Sequence, residues 1–437
     1  MANPERIGKY EILSKLGEGA TSAVYLGFDS FANRQVAIKL IFPEILRDKE
    51  KGRLYRHLLV TEASLAGKLS HPHIVQIFDA IIDEEQSYIV MEYVAGGTLE
   101  PYCTPSTLLP IDRVVEIIFK ATRALDYAQR LGITHRDIKP ANILIAQEGG
   151  LAGKSGGDIK ISDFGAALMT GNDQTQTQVA GVGSPAYMSP QQVREQSLNH
   201  QTDIYSLGIV TYQLLTGRLP FQAGSNYAVI YQICNVDPPA PSTFRTDVPP
   251  SLDAIVARAM QRELDARYQT WEEFAHDLAQ AFRNKQLAAM HKEFPDSEKF
   301  ETLRELDFFI DFSDVEIWEA VRFSRWEIVT PNTLIMKDGE PGDSFSFIIE
   351  GEAEATKHSV VLGLLHPGDC FGEMAVSGRD KRIRGANVTS LTTAKIVSIS
   401  GEALRNASEG CRMRFYQEFL HVISGRLDTA NERLSSL

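Results

Sequence analysis

The stretch Ile133-Thr134-His135-Arg136-Asp137-Ile138-Lys139-Pro140-Ala141-Asn142 puts a carboxylate, an ammonium and an amide within six residues. A short apolar run, Ile143-Leu144-Ile145, follows. Then come a Gly-rich turn, a second run Ile159-Lys160-Ile161, and Asp163-Phe164-Gly165. Two short apolar runs divided by a turn predict a hairpin that sets Asp137, Asn142 and Asp163 on neighbouring loops. Those groups suit phosphoryl transfer. One carboxylate orients a hydroxyl, while an amide oxygen and a second carboxylate hold Mg²⁺ against phosphates.

A His-Arg-Asp triplet alone is commonplace. The full string at this spacing closely resembles the catalytic loop of eukaryotic-like (Hanks-type) protein kinases, and Lys139 is the type found in the Ser/Thr branch. The resemblance implies a bilobal α+β kinase fold, ATP and Mg²⁺ as cofactors, and protein hydroxyls as acceptors. It gives Asp137 the substrate hydroxyl, Lys139 the transferring phosphoryl group, and Asn142 and Asp163 the metal. A kinase-like scaffold with little catalysis is the rival reading, and the intact catalytic set speaks against it.

Four elements must position this loop. Residues 10–42 read as strands with turns between them. Leu16-Gly17-Glu18-Gly19-Ala20-Thr21-Ser22-Ala23-Val24 carries two glycines in a turn, where backbone amides can approach phosphate oxygens. The family usually has a third glycine where Ser22 stands. Val36-Ala37-Ile38-Lys39 alternates as a strand, and Lys39 matches the family lysine that grips the α- and β-phosphates. Residues 45–70 have helical periodicity, and Glu62 there matches the glutamate that pairs with that lysine. Ser87 to Val94 reads as a strand running into the hinge, with Met91 as gatekeeper. The carbonyl of Glu92 and the amide of Val94 would meet the adenine edge. The resemblance implies that Leu16, Gly17, Glu18, Gly19, Val24, Ala37, Lys39, Met91, Glu92 and Val94 line the ATP cleft.

Ile111 to Leu131 reads as the amphipathic helix that delivers the catalytic loop. Between Asp163 and Pro190 the chain is polar and Thr-rich, at the place of an activation loop. Thr175 or Thr177 is expected to be autophosphorylated and to pair with Arg136. Ser184 matches the hydroxyl residue near the substrate groove. Ser189-Pro190-Gln191 departs from the family's Ala-Pro-Glu-like triplet. Gln191 cannot form the usual salt bridge, here to Arg267, so a looser activation segment is expected. Asp203 is expected to cap the apolar helix that begins there and to brace the catalytic loop.

At 437 residues, two or three domains are expected. The resemblance gives a kinase domain over 1–285, a helical linker over 286–304, and a second domain over 305–437. A net charge of -13 argues against nucleic-acid binding. Cys103, Cys234, Cys370 and Cys411 are scattered and read as reduced thiols. No signal-peptide core and no membrane-length apolar run is present, so a cytoplasmic protein without a membrane anchor is expected.

Ser313-x-x-Glu316 is a capping box that starts a helix near 314. After Trp326, short strands are divided by the Gly turns Lys337–Asp343, Glu350–Glu352 and His366–Asp369, which suggests a β-roll or jelly roll. Phe371-Gly372-Glu373-Met374-Ala375-Val376 and Arg384-Gly385-Ala386-Asn387-Val388 offer backbone amides, a carboxylate and a guanidinium for a cyclic phosphate and a ribose 2′-hydroxyl. This pattern resembles the cyclic-nucleotide-binding domain of catabolite activator protein and of kinase regulatory subunits. It implies a ligand site at Gly372, Glu373, Met374, Ala375, Arg384, Gly385 and Ala386, with Glu373 on ribose and Arg384 on phosphate; Arg382 is an alternative phosphate ligand. Gly385, where cGMP-selective sites often carry threonine, tilts the reading to cAMP or to a weakly selective site that takes cAMP or cGMP. A ligand-free docking or dimerisation module is the alternative. Phe415, Phe419, Val422, Ile423 and Leu427 read as one apolar stripe on a last helix, Arg412 to Leu434. That stripe suits core packing, closure over the base, or pairing in a homodimer.

Overall fold

The computed structural model describes residues 4–48, 52–83, 86–146, 158–166, 168–169, 185–283, 295–358, 360–373 and 383–435. The chain divides into two compact units, Met1–His291 and Lys292–Leu437.

The first unit opens with a six-stranded antiparallel sheet of strands β1 (Arg6–Ile7), β2 (Tyr10–Glu18), β3 (Ser22–Asp29), β4 (Arg34–Ile41), β5 (Ile77–Ile81) and β6 (Tyr88–Glu92), in the order β1-β2-β3-β4-β6-β5. Strand alternation sends successive side chains to opposite faces. Ile7, Tyr10, Tyr25, Val36, Ile38, Tyr88 and Val90 form a core on one face. Cross-strand register sets Val24 opposite Lys39 and Leu26 opposite Ala37, then Lys39 opposite Ile89 and Ala37 opposite Met91. Val24, Ala37, Lys39 and Met91 therefore share the other face. The helical stretch expected over 45–70 is two pieces, α1 (Pro43–Arg47) and α2 (Gly52–Ser64). Leu65 and Leu69 lie beyond the second helix, Leu65 in the turn that follows it.

The larger lobe is mainly helical: α3 (Ile111–Arg130), α4 (Pro190–Val193), α5 (His200–Thr216), α6 (Asn226–Asn235), α7 (Pro250–Ala259) and α8 (Trp271–Arg283). Five short strands complete it: β7 (Gly96–Thr98), β8 (Ile133–Thr134), β9 (Ile143–Ala146), β10 (Ile159–Ile161) and β11 (Leu168–Met169). The expected hairpin is present, with Ile143 paired to Ile161 and Ile145 to Ile159. Every residue of α5 from Gln201 to Thr216 is buried. It ends at Gly217, whose φ of 70° needs glycine and whose Cβ would strike the Thr104–Pro105 backbone.

The second unit starts in the segment read as a helical linker. There α9 (Asp296–Arg304) buries Phe300 against Trp318 of α10 (Asp314–Phe323), ring centroids 4.6 Å apart. The Ser313 capping box is formed: Ser313 N–H donates to Glu316 at 2.7 Å, and the Ser313 side chain accepts from Glu316 N–H. Strands β12 (Ser324–Val329), β13 (Leu334–Met336), β14 (Ser344–Glu350), β15 (Ala353–Lys357), β16 (Val360–Leu365), β17 (Cys370–Phe371), β18 (Asn387–Ser390) and β19 (Ala394–Ser400) make two sheets, β12-β19-β14-β17 and β13-β18-β15-β16. The predicted Gly turns bend as left-handed positions, φ 79° at Gly339, 85° at Gly351 and 95° at Gly368. Helices α11 (Gly401–Asn406) and α12 (Glu409–Ser435) close the unit. Among the described residues, no helix is long and apolar enough to cross a membrane.

Candidate functional site

Lys39 Nζ donates to Glu62 at 3.0 Å and to Asp163 Oδ1 at 2.7 Å. Sheet register aims the lysine, α2 supplies the glutamate, and the end of the β9–β10 hairpin supplies the aspartate. Burial pulls the Lys39 ammonium down, but the carboxylates of Glu62 and Asp163 outweigh it and hold the ammonium well above its ordinary value. Lys39 in turn holds the Asp163 carboxyl low. Asp163 sits at φ 65°, a strained geometry for a non-glycine residue. Phe164, buried, packs on His135 with centroids 4.5 Å apart, and the His135 ring contacts the Ser162 carbonyl at 3.0 Å. A Cβ at Gly165 would lie 3.0 Å from Glu62 Oε2, so a side chain there would press on the carboxylate that pairs with Lys39.

In the larger lobe, Lys139 Nζ donates to Asp137 Oδ2 at 2.7 Å. Asn142 Nδ2 donates to the Asp137 carbonyl at 2.8 Å and to its carboxylate at 3.1 Å. This orientation commits the Asn142 nitrogen and leaves its amide oxygen as the acceptor. One amide oxygen with one carboxylate fits Mg²⁺, which takes few protein ligands and keeps phosphate and water oxygens. Among the described residues, no group of three His, Cys, Asp or Glu forms a metal cage of its own.

The β2–β3 turn closes by Gly19 N–H donating to the Ser22 carbonyl at 2.8 Å. Ser22 thus contributes backbone, which explains why a hydroxyl residue serves there. No atom lies within 4 Å of a Cβ built on Gly17, so bare backbone faces open space there. That is the room a phosphate needs. Leu16 and Glu18 are exposed at this turn, and Met91 and Glu92 end β6 at the hinge before Val94. Glu92 is also tied to Lys160 at 2.9 Å.

Asp203 differs in part from expectation. Asn199, not Asp203, caps α5, accepting from Gln201 N–H. Asp203 lies inside the first turn and accepts the amides of His135 and Arg136, each at 2.7 Å. It braces the catalytic loop, and the loop rather than its own helix fills its lone pairs. Gln191 bonds Arg267 Nη1 at 3.3 Å and donates to the Arg262 carbonyl at 3.1 Å. Arg267 is fully buried among the carbonyls of Gln201, Gln261 and Arg262, and burial holds it down to about 10. Thr175, Thr177 and Ser184 lie outside the described residues.

In the second unit, Arg384 donates through Nη1 to the carbonyls of Ser344 and Gly372 and through Nη2 to Ser344 Oγ at 2.7 Å. Burial lowers its guanidinium, against the pull of Asp343 and Glu373. A Cβ on Gly342, or on Gly372 at φ 83°, would strike the Arg384 side chain in its present seat. Glu373, the next residue, is buried and accepts from Arg426 Nη1 at 2.6 Å. Arg426 Nη2 also bonds the Cys370 carbonyl. Gly385 and Ala386 follow Arg384 into β18. Met374, Ala375 and Arg382 lie outside the described residues. Sequence reasoning missed Arg426 and Ser344, which belong to no contiguous motif.

The last helix corrects the single-stripe expectation. Phe415 and Phe419 are buried with Phe308, Phe309, Phe312 and Phe345, whereas Ile423 and Leu427 are exposed, Leu427 by 60%. They lie with Met413, Tyr416 and Leu420 on a second, exposed apolar line.

The bilobal fold, with its Lys–Glu–Asp cluster and catalytic loop, defines the first unit as a protein kinase. The β-rich second unit, with flanking helices, is of the cyclic-nucleotide-binding class. The protein kinase domain family matches residues 10–281 and the cyclic nucleotide-binding domain family matches residues 326–410. The chain belongs to the protein kinase family. It is 38% identical over 285 residues to a probable serine/threonine-protein kinase of Streptomyces coelicolor, covering 64% of this chain and 41% of that protein. It is 39% identical over 286 residues to the serine/threonine-protein kinase PknB of Mycolicibacterium smegmatis, covering 64% and 44%. PrkC of Bacillus subtilis is 36% identical over 275 residues, covering 63% and 41%. The matches thus span under half of each of these relatives. The crystal structure of the Mycobacterium tuberculosis PknI kinase domain superposes with a TM-score of 0.50 at 25% identity, covering 64% of this chain and 99% of that one.

Proposed function

We propose that the chain is an ATP- and Mg²⁺-dependent Ser/Thr protein kinase controlled by a cyclic nucleotide, cAMP in preference to cGMP. The observation that carries the kinase reading is the convergence of Lys39, Glu62 and Asp163 beside an ordered Asp137–Lys139–Asn142 loop. In this reading Asp137 orients a protein hydroxyl and receives its proton as the new O–P bond forms, the bond from the γ-phosphorus to the β,γ-bridging oxygen breaks, and ADP leaves. Lys139 offsets the charge on the moving phosphoryl group, and Lys39 grips the phosphates. Asn142 and Asp163 hold Mg²⁺, which neutralises phosphate charge. Leu16, Val24, Ala37 and Met91 line the adenine end.

Control is supported by Arg384, held rigidly beside Glu373, an arrangement suited to a cyclic phosphate and a ribose hydroxyl. The effector acts by preferring one kinase state over the other. The Met413, Tyr416, Leu420, Ile423 and Leu427 line, at three–four spacing, supports pairing with a second copy. Arg136, partly desolvated, suits a phosphothreonine at Thr175 or Thr177; phosphopeptide mapping after incubation with ATP tests that site.

Transfer of label from ATP to protein, with Asp137→Asn as the control, tests the enzyme. Titration with cAMP and cGMP, repeated on Arg384→Ala, tests the effector. Native protein that neither binds nor responds to either nucleotide overturns the sensor reading for those ligands.

A further inference from the structure

Asp137 does its work only if the peptide plane before it is held. The Arg136 backbone is strained, at φ 69°. Asp203 takes the Arg136 amide, and the Asp137 amide donates to His135 Nδ1 at 3.3 Å. What remains of that plane is the Arg136 carbonyl. It accepts from Gln192 Nε2 at 2.8 Å. Gln192 reaches it from α4, 56 positions along the chain, and its other amide atom is also engaged. Its Oε1 accepts from Ser189 N–H at 2.9 Å, completing the capping box that starts α4.

We propose that Gln192 is a positioning residue for the catalytic aspartate. Its side-chain amide spans the cap of α4 and the Arg136 carbonyl, and so fixes the rotation of the Arg136–Asp137 peptide plane. Neighbouring Gln191 anchors the same short helix to Arg267 and the Arg262 carbonyl. The two glutamines therefore hold α4 from opposite sides, one to the lobe interior and one to the catalytic loop. An acceptor alone satisfies the cap, but only a donor satisfies the Arg136 carbonyl. That asymmetry makes the role separable from mere stability. The inference rests on the kinase reading above.

The test uses the full-length chain with Gln192→Glu and Gln192→Met. Gln192→Glu keeps an acceptor for Ser189 N–H and loses the donor to Arg136. Gln192→Met loses both. We expect kcat for phosphate transfer to fall roughly 10- to 100-fold in both variants, since small misplacement of a reacting group costs about that much. KM for ATP should stay within about twofold of wild type, because Gln192 touches only the cap of its own helix and the Arg136 carbonyl and none of the groups proposed to hold the nucleotide. The thermal midpoint of Gln192→Glu should stay near wild type while that of Gln192→Met drops. Wild-type kcat in Gln192→Glu overturns the positioning role. So does a loss of kcat that tracks the thermal midpoint across the two variants. If the wild-type chain itself transfers no phosphate, it is the kinase reading that fails.

Discussion

Arg426 Nη1 stands 2.6 Å from Glu373 Oε1, across 53 positions of sequence, and the Glu373 side chain is only 4% exposed. The carboxylate proposed to meet a ribose is thus held by the last helix of its own unit. Arg426→Ala removes both that ion pair and the bond to the Cys370 carbonyl. Truncating one member of such a pair leaves a buried charge without its counterion. Cyclic nucleotide binding measured by calorimetry should weaken about tenfold, equivalent to about 1.4 kcal/mol. Arg426→Lys, which keeps the charge and loses the fork, should fall between.

Lys39→Met should abolish phosphate transfer and also destabilise the fold. Glu62 has a side chain 6% exposed, and its counterion would be gone. Breaking a buried pair costs about 3 kcal/mol, readable by denaturant unfolding. The pH sign follows from the shifts. Lys39 is raised, so its share of stability is full below its ordinary 10.5 and is lost as pH rises through the higher folded value. Asp163 is lowered, so its share is present above its ordinary 3.8 and is lost as pH falls through the lower folded value. Burial raises Glu62 and Lys39 pulls it down, so without Lys39 the Glu62 carboxyl rises further, and wild-type stability minus that of Lys39→Met should shrink as pH falls and Glu62 takes up a proton.

Gln191→Glu should stabilise the chain. Arg267 is fully buried among neutral acceptors and held down to about 10. A carboxylate there gains roughly 4 kcal/mol of attraction at an effective dielectric of 20. It must offset its own desolvation and the lost donation to the Arg262 carbonyl, about 1 kcal/mol. The expected net gain is about 1 kcal/mol, seen as a thermal midpoint a few degrees higher. A lower midpoint would mean that the glutamine's donor matters more than the missing charge.

Gly342→Ala should behave like Arg384→Ala in nucleotide binding while leaving the arginine in the chain. A Cβ at 342 would strike Arg384 Nε, so the guanidinium must leave its seat between Ser344 and Gly372. Binding of cAMP by the two variants, compared in one calorimetric series, checks this. Wild-type affinity in Gly342→Ala would show that the observed seat is not the one used.

The kinase cleft was readable because its parts are short strings on rigid elements. The hairpin Ile143–Ala146 with Ile159–Ile161 needs only alternation and a turn, and it places Asn142 and Asp163 wherever it forms. The Ser313 capping box and the Gly339, Gly351 and Gly368 turns were likewise local. Asp203 was harder. Its type signals a cap, yet Asn199 starts the helix and the loop's amides reach Asp203 instead.

Sequence by itself determined the chemistry on offer: which carboxylates, amides and guanidinium stand at motif spacing, and hence the two folds that carry them. Tertiary structure alone decided who meets whom at long range: Arg426 with Glu373, Gln192 with the Arg136 carbonyl, Arg267 within its carbonyl cage. It also decided which apolar residues of the last helix are covered, with Phe419 buried and Leu427 exposed. The physical reason is that periodicity marks a face but not its neighbour. Desolvation and hydrogen-bond partners are properties of packed elements, and no stretch of chain carries them alone.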